Sequence, residues 1–320
     1  MRALTALVLA AVAVSASAQD VKQKLAQANA ALQSGEADKA LMLLDPLAQT
    51  GSGQAYNLRC RVQLTLEHWD RAASDCEQAV KLDGQNGAYH MWLGRALGER
   101  ADRASFLNAY SLGKRVRTEF EEAVRLNPRD PEALADLGEF YYSAPGVVGG
   151  GLDKAEGIAA QLDKVDAARA HELRSHIAEQ RKDYDTAERE LKQAVAVGAH
   201  PAFQWMALAS FYRRRGRWTD LDSAVHSGES AAGRDKHAGV ALYNGASTLI
   251  KSSRNPELAA KMIEDYLSGP QKTEEAPAFV ALMWLSRLKE QLGDQAAARH
   301  AQAAAVALAH DYKFAQDRKH

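Results

Sequence analysis

Cysteine, proline and aromatic residues are scarce in this sequence, and no charge of one sign predominates. The 320 residues include two cysteines and eight prolines, and aromatic residues make up 7%. The sequence has few prolines and is rich in Leu, Ala, Glu, Arg and Gln, and this composition favours a helical chain. The formal net charge is −1, so no overall field attracts a polyanion, and we expect no nucleic-acid partner.

Catalytic and ligand-binding motifs are also missing. No G-x-S-x-G or H-E-x-x-H pattern occurs, and the glycines at 149–151 lack the G-K-[ST] ending of a phosphate-binding loop. The ten histidines are scattered, and His171 and His176 are spaced wrongly for one helical face. We therefore predict a protein that is not an enzyme and has no cofactor or metal.

The first eighteen residues have the pattern of a signal peptide. Arg2 precedes an apolar run over 3–14 and a small-residue stretch that ends at Ala18. The run is too short to span a bilayer and has no polar face, which disfavours an amphipathic helix. We predict a signal peptide over 1–18, a mature chain from Gln19 and export, most simply to a periplasm, with secretion as the alternative. No later segment is long enough to span a membrane.

A column of mostly small residues recurs along the chain at intervals of 32 to 44 residues. A period in this range indicates stacked helical units that each cover the apolar face of the next. Small side chains at such positions allow two helices to cross closely. The column consists of Ala40, Ala72, Val116, Ala155, Ala187, Leu221, Ala260 and Ala298.

One unit, over 201–235, shows the pattern most completely. Trp205, Leu208 and Tyr212 share one helical face, Gly216 ends that helix, and a second helix carries Leu221. The pattern W-x-x-L-A-x-x-Y followed by G-x-W-x-x-L resembles a tetratricopeptide repeat, although Leu221 replaces a small residue. The resemblance implies an all-α superhelix of seven to eight antiparallel hairpins over 19–308, followed by a polar tail over 309–320.

Two insertions interrupt the period, at 98–116 and at 143–151. We predict a lengthened helix with a turn at Gly113 for the first, and a lengthened turn within one hairpin for the second. With Trp92–Arg95, they resemble a group of bacterial exported tetratricopeptide proteins without an assigned function. Insertions in repeat proteins tend to lie on a working face, but drift in a tolerant turn explains them equally well.

Cys60 and Cys76 lie on the two helices of one predicted hairpin. An oxidising compartment favours a disulfide. Antiparallel pairing about the turn, however, places Cys60 nearer Ala72 and Ala73 than Cys76. A disulfide and two buried thiols both remain open.

The resemblance implies that the first helices of successive hairpins line a concave groove. Arg61 and Arg95 hold equivalent positions in neighbouring units and could together bind a carboxylate or an acidic peptide. This partly resembles the carboxylate clamp of some tetratricopeptide adaptors, and the alternative is ordinary solvated surface. The predicted groove residues are Asn57, Arg61, Met91, Arg95, Glu139, Tyr142, His176, Glu179, Met206 and Arg213.

Three functions follow from these expectations. The favoured hypothesis is an exported, non-enzymatic scaffold that binds a protein or peptide in its groove. The alternative is a structural or assembly component of the bacterial cell envelope that binds through its outer surface. The third is an enzyme whose site is built from the two insertions. The sequence predicts neither the partner's identity nor the oligomeric state.

Overall fold

A computed structural model describes residues 19–313, and this part of the chain contains helices and no β-strand. The predicted signal peptide and residues 314–320 of the predicted tail lie outside the described residues. The helices are α1 (19–33), α2 (Ala37–Gln49), α3 (Gly53–Thr65), α4 (Trp69–Leu82), α5 (Gly87–Asp102), α6 (Phe106–Leu126), α7 (Pro131–Ser143), α8 (Leu152–Leu162), α9 (Ala167–Gln180), α10 (Tyr184–Val197), α11 (Pro201–Arg214), α12 (Trp218–Ala232), α13 (Gly239–Lys251), α14 (Pro256–Ser268), α15 (Ala278–Gln291) and α16 (Gln295–Leu308).

Consecutive helices pack in pairs, which gives eight antiparallel hairpins within residues 19–313, from α1–α2 to α15–α16. This confirms the predicted all-α superhelix of helical hairpins. Glycines turn the chain within several hairpins: Gly35, Gly216 and Gly293 have φ angles of +73°, +65° and +83°. This left-handed conformation favours glycine because it has no Cβ.

The recurring column lies on the buried face of the second helix of each hairpin, as expected for a close helix crossing. All eight members are on second helices, and each is buried, with exposures from 0 to 6%. Leu221 is as fully buried as Ala187. Side chains at these positions therefore limit how closely the helices of each hairpin approach.

A large side chain at this crossing should destabilise the protein. Ala187 is completely buried on α10, so Ala187→Trp should lower the free energy of unfolding by about 1–3 kcal/mol through overpacking. Urea unfolding would measure the loss. Ala196→Trp, on the exposed face of the same helix, is the matched control. Equal stability of the two variants would contradict the assigned crossing.

The first insertion lengthens two helices, but the predicted turn at Gly113 is wrong. The chain turns at residues 103–105, and Gly113 lies inside the 21-residue helix α6. A Cβ at Gly113 would lie 3.2 Å from Cγ1 of Val148, in the second insertion. Glycine thus permits close approach between the insertions here and does not form a turn.

The second insertion lengthens the turn of the fourth hairpin. It contains a short 3₁₀ helix over Gly146–Val148 between α7 and α8. Val148 is buried against α6. The two insertions are separate in sequence but therefore form one surface.

Cys60 on α3 and Cys76 on α4 are joined by a disulfide, with Cα atoms 5.4 Å apart. Both residues are fully buried. Of the two alternatives left open by the sequence, the structure has the bridge. It ties together the two helices of the second hairpin.

The last hairpin packs against the first. One buried cluster contains Leu32 and Leu44 from the first hairpin together with Phe279 and Ala305 from the last. At its edge the backbone N–H of His310 donates to Oδ2 of Asp38 at 3.0 Å. Within the described residues, the last hairpin therefore contacts the first.

Candidate functional site

The first helices α7, α9, α11 and α13 line a cavity of about 910 Å³, which we call the concave groove. Successive first helices face the same side because each hairpin repeats the orientation of the previous one. The lining combines both charges, amides, hydroxyls and an aromatic ring. It includes Glu132, Arg169, Glu172, Phe203, Asn244 and Lys251.

Hydrogen bonds and burial hold part of the groove in place. Gln204 donates from Nε2 to Oε1 of Glu172 at 3.1 Å, and burial raises the pKa of Glu172. Burial, with the nearby charge of Arg213, lowers the pKa of Lys251. Asn244, by contrast, is exposed. The groove thus presents polar groups of both kinds, which can pair with a peptide backbone.

The predicted groove residues are spread over several places. Met91 is buried in a small cluster between the third and fourth hairpins, and Met206 is buried and also lines the groove. Asn57 and Arg61 line a separate cavity beside α1. Arg95 and Glu139 line a pocket at the insertions.

Arg61 is bonded to a carboxylate of its own chain. Its Nε donates to Oε2 of Glu274 at 2.9 Å and its Nη2 donates to Oε1 of the same side chain. Nε2 of Gln33 donates to Oε1 of Glu274 at 2.9 Å. Glu274 lies in the segment between α14 and α15, so this bidentate contact connects the end of the array with its first two hairpins.

Arg95 is also paired internally. Its Nε donates to Oδ2 of Asp136 at 2.6 Å, while burial raises the pKa of Asp136 to about 6 against the opposing effect of Arg95. Trp92 lies between the two arginines, with its ring centroid 5.0 Å from Cζ of Arg61 and 4.4 Å from Cζ of Arg95. A partner carboxylate at either arginine would have to displace a carboxylate of this chain.

Tyr142, His176 and Glu179 form one contiguous polar group. The rings of Tyr142 and His176 stack with centroids 5.1 Å apart, and Nδ1 of His176 is 3.4 Å from Oε2 of Glu179. Arg214 completes the group by donating to Glu179 at 2.7 Å from the next hairpin. This role of Arg214 was not predicted from the sequence. The neighbouring Arg213 has a buried Nε without a hydrogen-bond partner in the described residues.

The Glu179 contacts predict a loss of stability in acid. Burial alone would raise the pKa of Glu179, but hydrogen bonds from His176 and Arg214 outweigh it and lower that pKa to about 2. Because the pKa is lower in the folded state, the stabilisation is present above about pH 4.5 and is lost as the pH falls towards 2. Urea unfolding of Glu179→Gln should show a deficit at pH 7 that disappears near pH 2. The same deficit at both pH values would contradict this account, and Asp153→Asn, at a fully exposed carboxylate, is the control.

Among residues 19–313, no group of three or more His, Cys, Asp or Glu side chains is arranged to hold a metal ion. No helix in this part of the chain is both long and apolar enough to cross a membrane.

Several groove residues were not predicted from the sequence, among them Glu172, Gln204, Asn244 and Lys251. They occupy α9, α11 and α13, which continue the series of first helices begun by α7. The sequence signal that could have identified these residues was their position on the first helix of each repeat unit. This signal was weak over 240–267, where the sequence fits the repeat pattern poorly, so no register for α13 could be assigned.

Comparisons with known proteins add a partial family match and a match of fold. The family described as regulator of microtubule dynamics protein 1-3 matches residues 61–146, which include the first insertion and part of the second. No curated protein matches the chain significantly.

Solved structures give the fold. A thermophilic TPR protein of Thermus thermophilus is 18% identical, with a TM-score of 0.50, over 60% of this chain and 98% of that one. A tetratricopeptide repeat protein from Parabacteroides merdae is 13% identical, with a TM-score of 0.49, over 85% of this chain and 99% of that one. The hairpins, their buried column and the first of these matches show that this chain has the fold of the tetratricopeptide-repeat proteins.

Proposed function

We propose that this protein is a non-enzymatic scaffold that binds a protein or peptide partner in its concave groove. Stacked helical repeats form extended concave surfaces suited to protein partners. The observation that carries the proposal is the groove itself, about 910 Å³ in volume and lined by four successive first helices. The sequence contains no G-x-S-x-G or H-E-x-x-H motif.

The groove lining suits an extended peptide more than a compact charged ligand. The lining carries both signs, with carboxylates in excess: Arg169 and Lys251 are the cations, and the carboxylates are Glu132, Asp166, Glu172 and Glu275. Phe203 adds an apolar surface, while Asn244 supplies an amide that can both donate and accept hydrogen bonds. A peptide backbone offers the same alternation of donors and acceptors.

The groove is tested by site-specific photo-crosslinking in the native cell. A photoreactive residue at Asn244, exposed in the groove, should form an adduct with a partner protein, whereas one at Gln193, exposed on the outer helix α10, should not. Adducts at Gln193 alone would contradict groove binding. They would favour the alternative, an envelope assembly component that binds through its outer surface.

We also propose that the protein is exported. The pattern of residues 1–18 supports this, as does the disulfide between Cys60 and Cys76, since disulfides persist in oxidising compartments. N-terminal sequencing of the protein from its native host should find Gln19 first, in a periplasmic or secreted fraction. An intact Met1 in the cytosolic fraction would contradict the proposal.

A further inference from the structure

The two insertions enclose a pocket of about 720 Å³, which we call the insertion pocket. It lies between the C-terminal halves of α5 and α7, the helix α6 and the loop after α7. Phe106, Tyr110, Phe120, Phe140 and Val147 give it an apolar lining. Its volume falls in the range of pockets that hold a small ligand or a few side chains.

Large apolar side chains at the opening of the pocket are exposed to solvent. Phe106 is 84% exposed and Val147 is 72% exposed, and Tyr110 follows Phe106 by one helical turn. Leu107, beside Phe106, is 79% exposed. Single exposed apolar residues are common, but several together beside an apolar pocket mark an interaction site.

The pocket is held in shape before anything binds. The backbone N–H of Gly151 donates to the carbonyl of Tyr141 at 2.8 Å, and Nζ of Lys154 donates to the carbonyl of Gly149 at 2.8 Å. A Cβ at Gly150 would lie 1.9 Å from the carbonyl oxygen of Ala144, so the loop depends on glycine. A preformed surface loses less conformational entropy on binding than a mobile one.

The charged side chains that line the pocket are mainly carboxylates. Four carboxylates line it, from Glu99, Asp102, Asp136 and Glu139, against the single guanidinium of Arg95. Arg95 neutralises Asp136, and Arg103 pairs with Glu99 at 2.8 Å. Within the described residues, Asp102 and Glu139 are exposed and have no ion-pair partner.

We propose that the insertion pocket is a second binding site, distinct from the concave groove, for a protein segment that places a large apolar side chain beside lysine or arginine. The apolar side chain enters between Phe106 and Val147, and the cation approaches Asp102 and Glu139. An anionic membrane does not fit this site, because the carboxylates repel its surface. An acidic peptide does not fit it for the same reason.

Fluorescence anisotropy with two labelled probe peptides tests the site on the mature protein. One probe is an amphipathic helix of Leu, Phe and Lys, and the other has Glu in place of every Lys. We expect saturable binding of the lysine probe and at least tenfold weaker binding of the glutamate probe. Phe106→Ser with Val147→Ser should weaken binding of the lysine probe at least tenfold, and Glu139→Lys should weaken it several-fold with a smaller dependence on salt.

Met42→Ser is the matched control, because Met42 is also exposed (68%) but lies on α2, far along the chain from the insertions. It should bind like the wild type, and thermal unfolding should show that all variants are folded. Equal binding of the two probes, no saturable binding of the lysine probe, or no effect of the Phe106/Val147 substitutions would overturn the proposal. Binding to anionic phosphatidylglycerol vesicles in place of the lysine probe would overturn it in favour of a membrane site.

Discussion

Replacing Phe279 by alanine should lower the free energy of unfolding by about 3–5 kcal/mol, the usual cost of removing a buried aromatic ring. Phe279 is 1% exposed on α15, in the cluster that joins the last hairpin to the first. Its ring packs against Tyr312 with centroids 4.8 Å apart. Ala278, the preceding residue, lies directly against Gly35 in the turn of the first hairpin.

Because this cluster joins the two ends of the array, Phe279→Ala should also loosen the structure locally, at the helices that form the cluster. Hydrogen exchange followed by mass spectrometry should show faster exchange in α1 and α15 and little change in α9 and α10. Phe106→Ala is the matched control, since it removes the same ring at an exposed position and should change stability by less than about 0.5 kcal/mol. Equal effects of the two substitutions, or unchanged exchange in α1, would show that the ends are not joined.

Removing the disulfide should cost roughly 3 kcal/mol, because the bridge between Cys60 and Cys76 closes a short loop that restricts the unfolded chain. Urea unfolding of the wild type, made in an oxidising compartment, should shift to lower urea when a reductant is present. The doubly substituted Cys60→Ala/Cys76→Ala protein should be no more stable than the reduced wild type, and the reductant should not change its stability. Both positions are fully buried, so the alanines also remove some packing.

A direct chemical measurement decides whether the bridge forms. Mass spectrometry of protein that is denatured and alkylated without reduction should find no alkylated cysteine. Two alkylated thiols would contradict the bridge and leave the alternative of two buried thiols.

The repeat architecture could be predicted because each hairpin is determined mainly by residues within its own segment of the sequence. Each hairpin carries its own column residue and turn, so residues such as Ala187 and Gly216 reveal the register without distant information. Two of the turns have no glycine at the position equivalent to Gly216: Glu67 and Lys182 take φ angles of +63° and +61° there. At those places packing of the two helices outweighs the local preference of the residue.

The contacts between distant parts of the chain could not be predicted. Arg61 and Arg95 were expected to await a partner carboxylate, but Glu274 and Asp136 supply carboxylates from the chain itself. Which acidic residue meets which arginine depends on the curvature of the whole array, and no local pattern encodes that. Gly113 shows a second limit, since a glycine that permits close approach of Val148 looks in sequence like a turn.

The central claim is that the concave groove binds a protein partner. Its most direct test is the affinity of groove-blocking variants for the partner that is captured at Asn244. Titration calorimetry would compare the wild type with Asn244→Trp, which fills the groove, and Gln193→Trp, which adds the same side chain to the outer surface of α10. Binding in the groove predicts at least tenfold weaker affinity for Asn244→Trp and unchanged affinity for Gln193→Trp. Weaker binding for Gln193→Trp with no change for Asn244→Trp would contradict it.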